Sequence, residues 1–229
     1  MRIARSTGRE TAAERSRVDC RITLPADTGK NSLGSVNEAA REIRQYPLRW
    51  SLKEYFGLVH RGVLRPDDRV ELLEGLIVAM SPQNPRHATG IRLAHLVLQR
   101  LLGERATVQV QLPLILGAHS APEPDVAVVP GCALDYTETH PTTALLIVEI
   151  ADCSLVQDRL TKAAIYARAG IPEYWIVNLV VDRIEIFRKP VRKRGRYART
   201  AAACRGDRIE LVAFPDMSVA VDDLLPPAK

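Results

Sequence analysis

The chain has 229 residues, 46% of them apolar and 26% charged, which suits one folded domain with a tail rather than two full domains. Its longest apolar runs, such as Ala144 to Val148, are far too short to span a bilayer, and no apolar stretch of the secretory kind follows its first arginines. A cytoplasmic protein is expected, and a net charge of +5 favours approach to a polyanion only weakly.

Residues 1–46 are polar and Arg-rich, with nine lysines and arginines against six acids and no sustained periodicity. They are predicted to form a disordered or loosely held basic arm ahead of a domain over residues 47–229. Contact with DNA is one reading of the arm; a misassigned start or plain disorder is the other. Ser51 and Glu54 are spaced as a capping box, and Gly62 closes the helix they open. A strand is expected from Glu71 to Met80, stopped by Ser81-Pro82. A helix follows from Pro85 to Leu102, with Ile91, Leu93, Leu96, Val97 and Leu101 on its apolar side and Gly103 at its end.

Short strands are expected over Val108 to Leu116, Asp125 to Val129 and Leu145 to Ile150, with a loop from Pro130 to Pro141. The last strand is an almost unbroken apolar run, as a strand buried on both faces should be. A second long helix is predicted from Leu155 to Ala169, with Ser154 and Gln157 as its capping box and Gly170 and Pro172 at its end. Glu173 to Asn178 is the next strand and Asp182 to Arg188 its hairpin partner. Tyr197 to Ala201 and Arg208 to Ala213 are two further candidates. The order of elements indicates an α/β protein around a mixed sheet.

Cys20, Cys132, Cys153 and Cys204 are widely spaced and form no CxxC pair, so free buried thiols are expected rather than disulfides or a zinc site. No HExxH and no phosphate-binding glycine loop is present. The strongest chemical signal is Glu149, a carboxylate inside the apolar strand Leu-Leu-Ile-Val-Glu-Ile. Asp125 opens the strand before it. If the two strands pair antiparallel, Asp125 and Glu149 lie at one edge of the sheet, where Mg²⁺ would neutralise them and the Ile150 carbonyl could add an oxygen. The plainer alternative is a salt-bridged strand glutamate and an aspartate that merely starts a strand.

Asp158, Lys162 and Tyr166 are spaced to share one helix face. If that helix folds back on the sheet, Lys162 approaches the carboxylate edge. Otherwise Asp158 and Lys162 are a surface pair worth ~0.3–0.5 kcal/mol. Tyr174 and Trp175 suggest base stacking, but in an apolar strand they are expected in the core. His87 either lines the site or caps its helix. From Arg188 to Arg199 the chain holds seven positive charges and no acid, which makes Arg192, Lys193, Arg194 and Arg196 candidate DNA contacts; a solvated hairpin tip is the other reading.

Pro124-Asp125-Val126, Ile147-Val148-Glu149-Ile150-Ala151-Asp152-Cys153-Ser154, Asp158-Arg159 with Lys162, and the run from Tyr166 through Gly170 and Trp175 to Asn178 together resemble the Uma-type restriction endonuclease family. Val70-Glu71-Leu-Leu-Glu74-Gly75, Met80-Ser-Pro82 and His87 fit the same pattern. The resemblance covers about Trp50 to Arg188. It implies a restriction-endonuclease-like fold of the PD-(D/E)xK superfamily, with a mixed sheet flanked by helices, DNA as partner, and Mg²⁺ as cofactor replaceable by Mn²⁺. By position it implies Asp125 and Glu149 as metal ligands, Lys162 as the active-site lysine and Glu71 as an accessory carboxylate. The wider superfamily places its lysine two residues after the strand acid. Here that position is Ala151, so the lysine must come from the helix. The implied activity is metal-dependent hydrolysis of DNA, with a homodimer compatible. The alternatives are a non-catalytic DNA-binding module on the same fold and a partner-binding scaffold.

Overall fold

A computed structural model of the chain describes residues 48–227, so the predicted arm over residues 1–46 lies outside the described residues. Helix α1 (Leu52–His60) opens with the expected capping box: Ser51 Oγ accepts from the Glu54 amide at 3.3 Å, and the Glu54 carboxylate accepts from the Ser51 amide at 2.8 Å. The single strand expected from Glu71 to Met80 is instead a hairpin of β1 (Val70–Leu73) and β2 (Leu76–Ala79). Glu74 and Gly75 form its two-residue turn with φ of 49° and 83°, the doubly positive geometry that matches strand twist. A Glu-Gly turn lacks the Asn or Asp that usually signals this bend.

Helix α2 (Pro85–Leu102) has the predicted bounds. Asn84 Oδ1 accepts from the His87 amide at 3.0 Å, and Pro85 occupies the first turn, where its missing N–H costs nothing. A six-stranded sheet follows, of β3 (Thr107–Gln109), β4 (Val126–Val129), β5 (Leu146–Ala151), β6 (Glu173–Asn178), β7 (Arg183–Val191) and β8 (Arg196–Cys204), in that spatial order. Neighbours are antiparallel except β5 and β6, which are parallel. That one pair needs a crossover, supplied by α3 (Leu155–Gln157), a π turn (Asp158–Lys162) and α4 (Ala163–Ala169).

The adjoining interior strands β4, β5 and β6 are buried along their whole length, as their apolar sequences require. Val126, Val128, Val148, Ile150, Trp175 and Val177 join the core on the side of α2 and the C-terminal helix α5 (Val221–Leu224). The alternate residues Ala127, Ile147, Ala151, Tyr174 and Ile176 join the core that contains α4. The mixed α/β fold is therefore the one expected. β9 (Arg208–Glu210) pairs with β10 (Ser218–Ala220) in a separate small sheet. β10 and α5 are too short to show any periodicity in the sequence.

Three further expectations change. The strand predicted to reach Leu116 stops at Gln109, because Gln111 takes φ 49° and Pro113 has no amide to donate. Gln111 and Leu114 instead bond to Pro124 and Pro122, and Leu116 bonds to Ser120. The loop after β4 contains a 3-10 turn at Ala133–Tyr136. Cys132, Cys153 and Cys204 are free, as expected, but exposed rather than buried, because each sits in a loop or at a strand end. No helix among the described residues is long and apolar enough to cross a membrane.

Gly90 measures how closely α2 lies on the sheet. A Cβ there would stand 2.9 Å from Ile150 Cγ2, too near for a β-branched side chain to yield freely. Gly90→Ala is expected to destabilise the protein by about 1–2 kcal/mol through overpacking, although helix propensity alone favours alanine by ~1 kcal/mol. A urea midpoint equal to or above the parent's would contradict this packing.

Candidate active site

Val126 pairs with Val148 across β4 and β5, so one further residue along that register sets Asp125 opposite Glu149. The antiparallel pairing inferred from sequence is the one observed. Glu149 lies two residues from both Ile147 and Ala151 and shares their face, so it points to the α4 side of the sheet. Glu71 reaches the same region from β1, two residues before the core residue Leu73.

The helical segment that meets these acids is not uniform. Ser154 does not cap it, contrary to the predicted capping box. It lies in the right-handed region (φ −82°, ψ −2°), and its Oγ donates to Asp158 Oδ2 at 2.6 Å. From Asp158 to Lys162 the helix widens into a π turn, closed by the Ala163 amide donating back to the Asp158 carbonyl. Such single-turn widenings recur at functional sites. Here both ends of the turn, Asp158 and Lys162, are buried, which excludes a surface pair.

Lys162 Nζ lies 3.0 Å from Glu149 Oε1 and 3.3 Å from Glu71 Oε1. The Tyr166 hydroxyl donates to the same Glu149 oxygen at 2.7 Å. Oε1 is therefore doubly occupied, while among the described residues Oε2 has only the Asp125 amide at 3.4 Å. Asp125 Oδ2 accepts from the Ile150 amide at 2.8 Å, and Gln111 Nε2 donates to Oδ1 at 3.1 Å. The His87 ring nitrogen Nε2 stands 3.4 Å from both Asp125 oxygens. The His87 amide is the group capped by Asn84, so its ring is left to line the site. Glu71 Oε2 accepts from the Glu123 amide at 3.1 Å.

Among the described residues, four buried carboxylates, Glu71, Asp125, Glu149 and Asp158, thus share one buried cation, Lys162. Burial pushes the Glu149 carboxyl up to about 8 against the pull of Lys162, and the other acids add to the rise. Burial likewise lifts Asp158 to about 6, opposed by Lys162 and by the Ser154 hydrogen bond. For Lys162 burial acts downward, but the surrounding carboxylates outweigh it and hold the ammonium above its ordinary value. Burial and the neighbouring Glu149 charge keep the Tyr166 phenol protonated, well above its usual range. A site with this surplus of acid favours an added cation.

The cleft in front of these groups has a volume of about 60 Å³ and is lined by Glu71, His87, Gln111, Asp125, Glu149 and Lys162 among others. At ~15 Å³ for each water-sized body, it has room for an ion and a few waters. Among the described residues, no three His, Cys, Asp or Glu side chains converge as a ready-made metal cage. Mg²⁺ does not need one: it binds through one or two carboxylates and keeps several waters. The hard-oxygen pair Asp125 and Glu149, with one Glu149 oxygen lightly engaged, fits that ion.

Tyr174 and Trp175 are core residues, as their strand suggests. The Tyr174 hydroxyl donates to the Asp158 carbonyl at 3.2 Å, and Trp175 Nε1 donates to Glu173 Oε1 at 3.0 Å. The basic stretch lies elsewhere. Glu149 is level with Ile176, Ile176 with Glu185, and Val191 is six residues beyond Glu185. At ~3.3 Å per residue the tip stands ~20 Å along the sheet from the carboxylates. There Arg192 donates to the Arg168 and Ala169 carbonyls at 3.2 and 2.9 Å and so caps α4, while Lys193, Arg194 and Arg196 are exposed. Gln111, Glu123 and Arg69 also line the cleft, and none of them was singled out by spacing.

No curated protein matches the chain. A solved structure described as a putative nuclease belonging to DUF820 from Anabaena variabilis superposes with a TM-score of 0.61 at 16% identity, over 76% of this chain and 96% of that one. That likeness establishes a shared fold. The family model Uma2, described as "Putative restriction endonuclease", matches residues 52–222, a span that includes Glu71, Asp125, Glu149 and Lys162. The chain therefore belongs to the Uma2 family and carries its restriction-endonuclease-like fold.

Proposed function

We propose that the cleft is the active site of a divalent-metal-dependent DNA endonuclease that hydrolyses phosphodiester bonds. One observation carries the reading: Asp125 and Glu149 face each other on adjacent strands, with Lys162 bonded to Glu149, in a chain of the restriction endonuclease family. Asp125 and Glu149 would hold Mg²⁺, and Mn²⁺ would substitute. Such an ion lowers the pKa of a bound water and polarises a phosphoryl oxygen.

The chain's own residues hold the acids for that task. Lys162 and Tyr166 fix Glu149 by Oε1 and leave Oε2 toward Asp125. The Ile150 amide, Gln111 and His87 hold the Asp125 carboxylate from three directions. Glu71 keeps the Lys162 ammonium beside Glu149, where its charge offsets the acids that would repel a phosphate. Preset positioning of this kind supplies much of the rate in phosphoryl chemistry.

The test is incubation of the purified chain with supercoiled and single-stranded DNA in Mg²⁺, Mn²⁺ or EDTA. Cutting is expected only with metal, and Asp125→Asn should abolish it. Intact DNA in every condition, with folded protein, would sink the endonuclease reading. Salt-sensitive binding in its place would identify a DNA-binding module.

A further inference from the structure

The acidic cleft continues into a second groove of about 340 Å³ beside α1, which includes Tyr55, Leu64, Arg65 and Val70. The two share Arg69, Met80, Gln111 and Glu123, so they form one continuous surface. Among the described residues, Arg69 is the single arginine lining the acidic cleft, and Arg65 lies further along the second groove. Both are exposed, and among the described residues neither side chain makes an ion pair or hydrogen bond. The arginines of several other elements are bound within the fold: Arg86 to Asp182, Arg159 to Glu185, Arg168 to Glu74 and Arg188 to Glu173.

The backbone at Arg69 adds an independent observation. Arg69 sits in the left-handed region, at φ 43° and ψ 66°, immediately before β1. A side chain there costs on the order of 1 kcal/mol or more. The conformation is held from both sides: the Met80 amide donates to the Arg69 carbonyl at 2.8 Å, and the Arg65 amide donates to Asp68 Oδ2 at 2.6 Å across the preceding turn. A glycine would relieve the strain, yet this position presents a guanidinium at the mouth of an acid-lined cleft.

We propose that Arg69 and Arg65 form a track for the DNA backbone, binding the phosphates that flank the one held in the cleft. This rests on the nuclease reading and specifies how its substrate lies. An acidic centre repels every phosphate except one screened by a cation, so the neighbouring phosphates need cations outside the acid cluster. Guanidinium forks suit that task, because they meet phosphate oxygens with two parallel hydrogen bonds. Such contacts position a strand and carry no sequence information. The strand accordingly leaves the cleft across the loop between α1 and β1, and the β7–β8 tip plays no part in this contact.

The test is binding of the full-length chain to a short fluorescein-labelled DNA duplex, followed by anisotropy in Ca²⁺ over a series of salt concentrations. Each phosphate contact contributes ~0.9 to the slope of log K against log salt. The double variant Arg65→Ala/Arg69→Ala is expected to lower that slope by about 1–2 and to weaken binding several-fold at low salt. Arg65→Lys/Arg69→Lys should restore most of the slope, and Arg194→Ala/Arg196→Ala should leave it at the wild-type value. Thermal unfolding of each variant confirms the fold, and Arg65→Gln/Arg69→Gln provides a second removal of charge should the alanine pair unfold early. An unchanged slope in the charge-removed variants, with wild-type protein that binds and cuts DNA, would overturn the track and leave the nuclease reading intact. Failure of the wild type both to bind and to cut DNA would overturn both together.

Discussion

Glu149→Gln is expected to give a folded protein that no longer cuts DNA. Glutamine has nearly the shape of glutamate, and its carbonyl oxygen can still accept from Tyr166 and Lys162, which now meet at Oε1 at 2.7 and 3.0 Å. Lys162 keeps a charged partner in Glu71 at 3.3 Å, so no buried cation is stranded. Burial already pushes the Glu149 carboxyl up to about 8, so replacing it with a neutral group relieves a surplus of buried acid. The thermal midpoint should therefore stay near the parent's or rise slightly. What is lost is the carboxylate oxygen facing Asp125. Cleavage should fall by at least on the order of 10²–10³-fold, the scale seen when one preset electrostatic group is removed. Plasmid nicking by Glu149→Gln near the wild-type rate, with metal present, would place the chemistry elsewhere.

Lys162→Met is expected to act on stability as strongly as on activity. The substitution keeps an unbranched apolar stem and removes the one buried cation, among the described residues, that faces four buried carboxylates. Breaking a buried ion pair from one side costs about 3–5 kcal/mol, because the partner acids stay desolvated and either keep an unpaired charge or take up a proton. Urea unfolding in EDTA should show a loss of that size. A divalent ion that binds the folded state then replaces part of the missing charge, restoring about 2.7 kcal/mol at a hundredfold excess over its dissociation constant. An unfolding free energy that is unchanged in EDTA would contradict the electrostatic description of the cluster.

Much of this site is legible in the sequence because two short-range rules hold. Antiparallel pairing of neighbouring strands makes Asp125 meet Glu149, and strand alternation turns Glu149 toward the crossover helix. Lys162 and Tyr166 share the face expected from their spacing. The π turn that buries Lys162 leaves no mark in the periodicity, however, since one extra residue per turn looks like ordinary helix over so short a stretch. The hairpin at Glu74-Gly75 is invisible for a similar reason: its turn residues differ from the usual pair.

Composition is a poorer guide than register. The dense positive charge from Arg188 to Arg199 draws attention to the β7–β8 tip, yet Arg188 is bound to Glu173 and Arg192 caps α4. Arg69 and Gln111 line the cleft because left-handed backbone turns them there, and neither residue type advertises that conformation. The exposed cysteines follow the same lesson, since their burial depends on where strands end rather than on residue type.

The most direct test of the central claim, a divalent-ion site on Asp125 and Glu149, is titration of the full-length chain with Mn²⁺, followed by electron paramagnetic resonance. Wild-type protein should bind Mn²⁺ in competition with Mg²⁺, and both Asp125→Asn and Glu149→Gln should lose that binding while remaining folded. Mn²⁺ binding that is the same in the wild type and both variants would contradict the claim.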